Sequence, residues 1–203
     1  MYKVEATGGM LHIIATDMSA EASSTQVEIS ADAALVARVR AGDRDAFGRL
    51  YDAYSRMVHG ILLARVPYGE VDDLVQDVFL VALRKIDALR DAAAFGPWLA
   101  MITRNRAMDF HRRSRDTTEL TEEIATAADA VAPEAEATEV LNLIRQLPEA
   151  YREPLILRFV EGMTGPEIAE RTGLAPASVR VNIHRGMKLL REKMGATKFE
   201  REH

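Results

Sequence analysis

The chain has 203 residues, 48% hydrophobic and 28% charged, with a formal net charge of −5. That composition can bury a core, and the length fits one domain or two small ones. There is no cysteine, which excludes disulfides, thiolate metal sites and cysteine nucleophiles and fits a reducing cytoplasm; no apolar run approaches the ~20 residues a membrane-spanning helix needs.

Residues 1–30 hold one basic residue, Lys3, and a short apolar patch, Met10 to Ala15, broken by His12. This is a poor signal peptide and reads as a poorly ordered extension. Beyond it strand signals are nearly absent, and apolar residues recur at helical spacing. In "DAFGRLYDAYSRMVHGILLARV" one stripe holds Phe47, Leu50, Tyr51, Tyr54, Val58, Ile61 and Leu62. "AGD" at 41–43 and "PYGE" at 67–70 bound it.

"VDDLVQDVFLVALRKI" follows. Val71, Leu74, Val75, Val78, Phe79, Ala82, Leu83 and Ile86 predict a broad inward face. Asp73, Gln76, Asp77, Leu80 and Arg84 fall on the opposite side. The loop "DALRDAAAF" leads into "FGPWLAMITRNRAMDFHRRSR", a helix with Phe95, Trp98, Leu99 and Ile102 inward and arginines at its far end. Residues 31–115 thus read as one helical unit. Residues 116–137, acidic and rich in alanine and threonine, read as a linker. A second helical unit spans 138–196, and 197–203 form a tail. The fold class is all-α, two small helical domains joined by an acidic linker.

Charge is patterned along this order. Arg104 to Arg115 holds five arginines and one acid; Asp116 to Glu139 holds eight acids and no Lys or Arg. Ser178 to Lys198 holds six Lys/Arg and one acid. Two basic blocks in an acidic chain direct attention to local nucleic-acid binding.

The second block lies in "TGPEIAERTGLAPASVRVNIHRGMKLL", which has helix–turn–helix grammar. Thr164 and Glu167 form a capping box, and Pro166 sits in the first turn. Gly173 falls where the turn needs a permissive backbone. Val179, Ile183, Met187 and Leu190 form the buried stripe of the second helix. Ser178, Arg180, Val181, His184, Arg185 and Lys188 remain on or beside its exposed face. Such a helix can lie in a major groove. A plain helical hairpin with solvated cations is the alternative.

The ordered set of stretches resembles the bacterial sigma factors of the extracytoplasmic-function (ECF) group, over about residues 31–194. "DAFGRLYDAYSRMVHGIL", "DDLVQDVFLVALRKI" and "FGPWLAMITRNRAMDFHRRSR" resemble the promoter-melting domain, sigma region 2. "LIRQLPEAYREPLILRFVEGMTGPEIAERTGLAPASVRVNIHRGMKLLRE" resembles the −35-reading domain, sigma region 4. The resemblance implies that Asp73, Gln76, Asp77, Leu80 and Arg84 bind core RNA polymerase, with a solvated helix face as the plain alternative. It implies that Arg104, Asn105, His111, Arg112 and Arg113 meet the −10 element of promoter DNA, Asn105 at base edges and the arginines at phosphates. Leu89, Arg90 and Asp91 would form the pocket for a flipped-out base. Trp98 matches a buried family tryptophan. Ser178, Arg180, Val181, His184, Arg185 and Lys188 would meet the −35 element, with Val181 suited to a thymine methyl. An anti-sigma factor is an implied partner. Two positions depart from the group's pattern. Ala175 stands where serine or threonine often caps the recognition helix. Gly186 stands where alanine is usual, and glycine inside a helix costs roughly 1 kcal/mol.

Two rival readings exist. Asp72, Asp73 and Asp77 resemble the aspartate-rich helices that hold magnesium and diphosphate in isoprenoid synthases, but that chemistry needs a second facing acidic cluster. The five histidines (12, 59, 111, 184 and 203) lack metal-ligand spacing, and no phosphate loop or nucleophile elbow occurs. The expectation is a non-enzymatic protein without cofactor or metal. A helix–turn–helix repressor or activator acting without polymerase is the other rival; it leaves the polar face at 73–84 unexplained.

Overall fold

The computed structural model of the protein describes residues 31–118 and 132–201, all of whose regular structure is helical. The extension expected at 1–30 and most of the acidic segment lie outside them. The first unit contains α1 (residues 31–40), α2 (Arg44–Leu63), α3 (Val71–Lys85) and α4 (Phe95–Thr118). The second contains α5 (Ala132–Arg145), α6 (Glu149–Phe159), α7 (Gly165–Thr172) and α8 (Pro176–Arg201). The boundaries expected at 115/116 and 137/138 fall inside α4 and α5, and α8 runs into the expected tail.

Local chemistry sets these limits. Asp43 caps α2 by accepting from the amides of Asp45 and Ala46, both at 3.0 Å. Pro67 precedes the single 3₁₀ turn that leads into α3. Asp91 accepts from the Ala93 amide at 3.0 Å and starts the turn before α4. The capping box of α7 is present in both directions, 2.7 Å from the Thr164 amide to Glu167 and 3.3 Å back from the Glu167 amide. Gly173 ends α7 at φ 73°, where any Cβ would be strained.

The two units are packed against each other. One cluster of buried apolar side chains joins Leu50, Met57 and Ile61 of α2 and Phe95 and Leu99 of α4 to Leu155 and Leu157 of α6 and Ile168 of α7. α2 packs on α6, and α4 on α7. Trp98 is half-buried, its ring 5.8 Å from that of Phe95.

Two sequence expectations change. Leu83 is 42% exposed, not inward. It sits at the edge of the α3 stripe, roughly 90° from its centre at ~100° per residue. Gly186 is buried, and a Cβ there would lie 2.9 Å from Leu155 Cδ1 and 3.1 Å from Tyr151 Cβ. The glycine that looked like a defect in helix propensity lets α8 approach α6.

Candidate polymerase and nucleic-acid interfaces

α3 presents the first candidate surface. Asp73, Gln76 and Arg84 are exposed, and Leu80 is 51% exposed. Leu83 adds a second apolar side chain to this side, so the face has an aliphatic centre with polar flanks, the anatomy of a protein-binding patch. Periodicity missed Leu83 because it belongs to the border of both faces. Asp77 is held from behind: Arg106 of α4 donates to its Oδ2 at 2.6 Å. Asp72 is exposed on α3, and among the described residues no group of three or more His, Cys, Asp or Glu could hold a metal ion.

The far half of α4 presents the second. Asn105, Arg112 and Arg113 are exposed. Asn105, His111 and Arg112 line one open cleft of about 940 Å³ with Arg65, Lys85 and Arg152. Arg112 also pairs with Asp109 at 3.0 Å, one helical turn back. His111 is exposed and donates from Nε2 to the Arg65 carbonyl at 2.7 Å. Exposed Met101 and Met108 flank Asn105 at helical spacing, giving this face an apolar component. Arg104 departs from the group. It turns toward the second unit and donates to Glu153 at 2.6 and 3.2 Å, and to the Thr172 carbonyl at 3.3 Å.

In the loop between α3 and α4, Arg90 and Asp91 are exposed, whereas Leu89 is buried in the core. Arg40 of α1 pins the loop from beneath, donating to the carbonyls of Ile86 at 2.9 Å and of Leu89. Leu89 could supply only the floor of a pocket whose rim is Arg90 and Asp91.

α8 presents the third surface. Val179 and Leu190 are buried and Ile183 and Met187 half-buried, so the stripe seats the helix on α6 and α7. Ser178, Arg180, Val181, His184, Arg185 and Lys188 are all exposed. The Gly173 turn sets α8 at its angle to α7, and a Cβ there would meet Pro97 Cβ of the first unit at 3.1 Å. Three arginines or lysines, a histidine and one small apolar side chain on a single exposed helix face suit a duplex groove with phosphates on either side.

Fold and surfaces together describe an all-α protein with a helix–turn–helix whose second helix exposes a cationic face, and with a further exposed face on α3 that has an aliphatic centre. The family is shown by comparison. Residues 50–117 match the family model described as sigma-70 region 2, and residues 137–190 that of sigma-70 region 4. The chain is 33% identical to the RNA polymerase sigma factor CarQ of Myxococcus xanthus, over 80% of this chain and 97% of that protein. It is 31% identical to the ECF RNA polymerase sigma-E factor of Haemophilus influenzae, over 80% of this chain and 95% of that one. A solved structure of CnrH in complex with the cytosolic domain of CnrY aligns with a TM-score of 0.60 at 27% identity, covering 82% of this chain and 98% of that one. The chain belongs to the sigma-70 family, within its ECF group.

Proposed function

We propose that this chain is an alternative sigma factor whose three exposed surfaces divide the work of promoter-specific initiation. Asp73, Gln76, Asp77, Leu80, Leu83 and Arg84 dock on core RNA polymerase, the acids meeting basic side chains and the leucines supplying desolvation. Asn105, Arg112, Arg113 and His111 engage the −10 element, joined by Arg104 once it leaves Glu153. Arg90 and Asp91, over Leu89, receive an extruded base. Ser178, Arg180, Val181, His184, Arg185 and Lys188 read the −35 duplex. The protein catalyses nothing itself, acts in the cytoplasm and has an anti-sigma factor as a further partner; CnrH, a structural relative, was solved in complex with the cytosolic domain of CnrY.

The observation that carries this reading is the coexistence, in one chain, of an exposed acidic–aliphatic face on α3 and six exposed polar, cationic and small apolar side chains on one face of α8. A repressor has use for the second alone. The test is run-off transcription with purified core polymerase on genomic fragments. Leu80→Arg is a cleaner probe than a change at Asp77, because Leu80 projects outward while Asp77 anchors Arg106. It should abolish core association and leave helicity and melting unchanged, since exposed substitutions usually move stability within ~0.5 kcal/mol. Undiminished association would remove α3 as the docking face. Tight, specific binding to duplex promoter without polymerase would favour the repressor.

A further inference from the structure

The chain passes from α3 to α4 through two short 3₁₀ turns, Ile86–Ala88 and Ala92–Ala94. Between them the backbone is extended, at φ −69°, ψ 111° for Leu89 and φ −114°, ψ 109° for Asp91. Such a stretch has no helical ladder, and no strand lies beside it among the described residues. Its conformation therefore depends on side chains.

Three side chains supply that support. Leu89 is buried in the core. Asp91 accepts from the Ala93 amide at 3.0 Å and holds the far end. Arg40, the last residue of α1, holds the near end. It donates to the Ile86 carbonyl from Nε at 3.2 Å and from Nη2 at 2.9 Å, and from Nη2 also to the Leu89 carbonyl. The Ile86 carbonyl accepts from the Leu89 amide as well, at 3.2 Å, so one guanidinium spans the whole first turn. It stands at the C-terminal end of α3, where the last carbonyls favour a cation. The base of Arg40 is firm, because Val36 and Val39 of the same helix are buried. What these anchors leave outward is Arg90, exposed between pinned Leu89 and capping Asp91.

Resting on the reading of this loop as the receptor of an extruded base, we infer that Arg40 is a positioning residue for base discrimination at −10. It touches no nucleotide; it sets the floor at Leu89 and the rim at Arg90 and Asp91 before DNA arrives. Extruding a base already costs free energy, and a pocket that had to be ordered on binding would add to that cost. Helix α1, which carries none of the three exposed surfaces, thereby belongs to the −10 reading apparatus.

The test uses the full-length protein. Arg40→Met keeps an unbranched stem and removes the donors. Arg40 is exposed, so the change opens no cavity in the core. In the free protein, hydrogen exchange in peptides covering residues 86–94 should quicken, while peptides within α2 stay unchanged. Holoenzyme made with purified core polymerase then binds a fluorescent single-stranded −10 oligonucleotide, taken from a promoter found by run-off transcription, with each base replaced in turn. The double variant Arg90→Ala, Asp91→Ala identifies the position that the loop reads, as the one whose discrimination it loses. Arg40→Met should reduce discrimination at that same position by on the order of tenfold, the equivalent of one residue's backbone ordering. Added to the double variant it should lower discrimination no further, since both act through one pocket. Arg40→Lys keeps the cation without the fork and should fall between wild type and Arg40→Met; it carries the test if circular dichroism shows Arg40→Met unfolded.

Unchanged exchange at 86–94 would overturn the anchoring. Full discrimination in Arg40→Met, or losses that add to those of the double variant, would overturn the positioning role. A uniform loss at every position, with the salt slope lowered by about one, would make Arg40 a phosphate contact and overturn it too. If the double variant loses discrimination nowhere, the pocket reading fails and this inference with it, while the exchange result still reports the anchor.

Discussion

Gly186 shows most plainly how one residue can mean opposite things in sequence and in structure. By helix propensity alone, Gly186→Ala should stabilise α8 by roughly 1 kcal/mol. The closeness of Leu155 and Tyr151 reverses the expectation: the added methyl must displace a buried leucine, and overpacking costs ~1–3 kcal/mol. Denaturant unfolding should therefore show Gly186→Ala equal to or less stable than wild type, and a gain near 1 kcal/mol would show that α6 and α8 yield freely. Glu153 poses the matching problem in charge. Alone in the sequence it is an ordinary acid in a helix; in the structure it is buried between Arg65 and Arg104. Breaking such a buried pair costs up to ~3–5 kcal/mol, less here because Arg104 keeps part of its surface in water.

At the scale of elements, α7 and α8 were legible almost completely. The capping box, the turn glycine and the buried stripe of α8 rest on interactions within a few residues, so the residues on the exposed face follow by subtraction. If Lys188 meets a phosphate, Lys188→Ala should weaken binding of the polymerase complex to all −35 sequences alike. The slope of log affinity against log salt should fall by about one. A change confined to one promoter sequence would mean that Lys188 touches a base. α3 was legible except at Leu83, whose border position only its neighbours could decide. The stretch at 89–91 was least legible: Leu89 looked like a loop residue, and Arg40, 49 positions earlier, draws it into the core.

At the scale of the whole molecule, the His59–Glu161 pair across the two units should make their contact responsive to pH. His59 carries a raised pKa, chiefly through its hydrogen bond to Glu161, against the opposing effect of burial, with the charges of Glu161 and Asp72 adding to the rise. A histidine whose folded pKa is raised contributes fully below its ordinary value of about 6.5 and loses that contribution as pH climbs through the raised value. The contact should accordingly be firmer near pH 6 than near pH 8.5, visible as a higher denaturant midpoint at the lower pH. His59→Gln should flatten the dependence. A pH-independent midpoint in wild type would mean that the pair does not bias the contact.

The sequence by itself determined the helices, their caps, the all-α class and the exposed residues of the recognition helix, because each depends on neighbours within a turn or two. Family likeness added the polymerase and promoter roles. Tertiary structure alone decided that the two units meet, that Arg104 is engaged by Glu153, and that Gly60, where a Cβ would lie 2.7 Å from Leu157 Cδ2, and Gly186 are spacers. Those outcomes depend on residues 49, 97 and 31 positions apart, brought together by shared apolar burial, which has no direction: the stripe on each helix marks the buried face without marking which helix covers it.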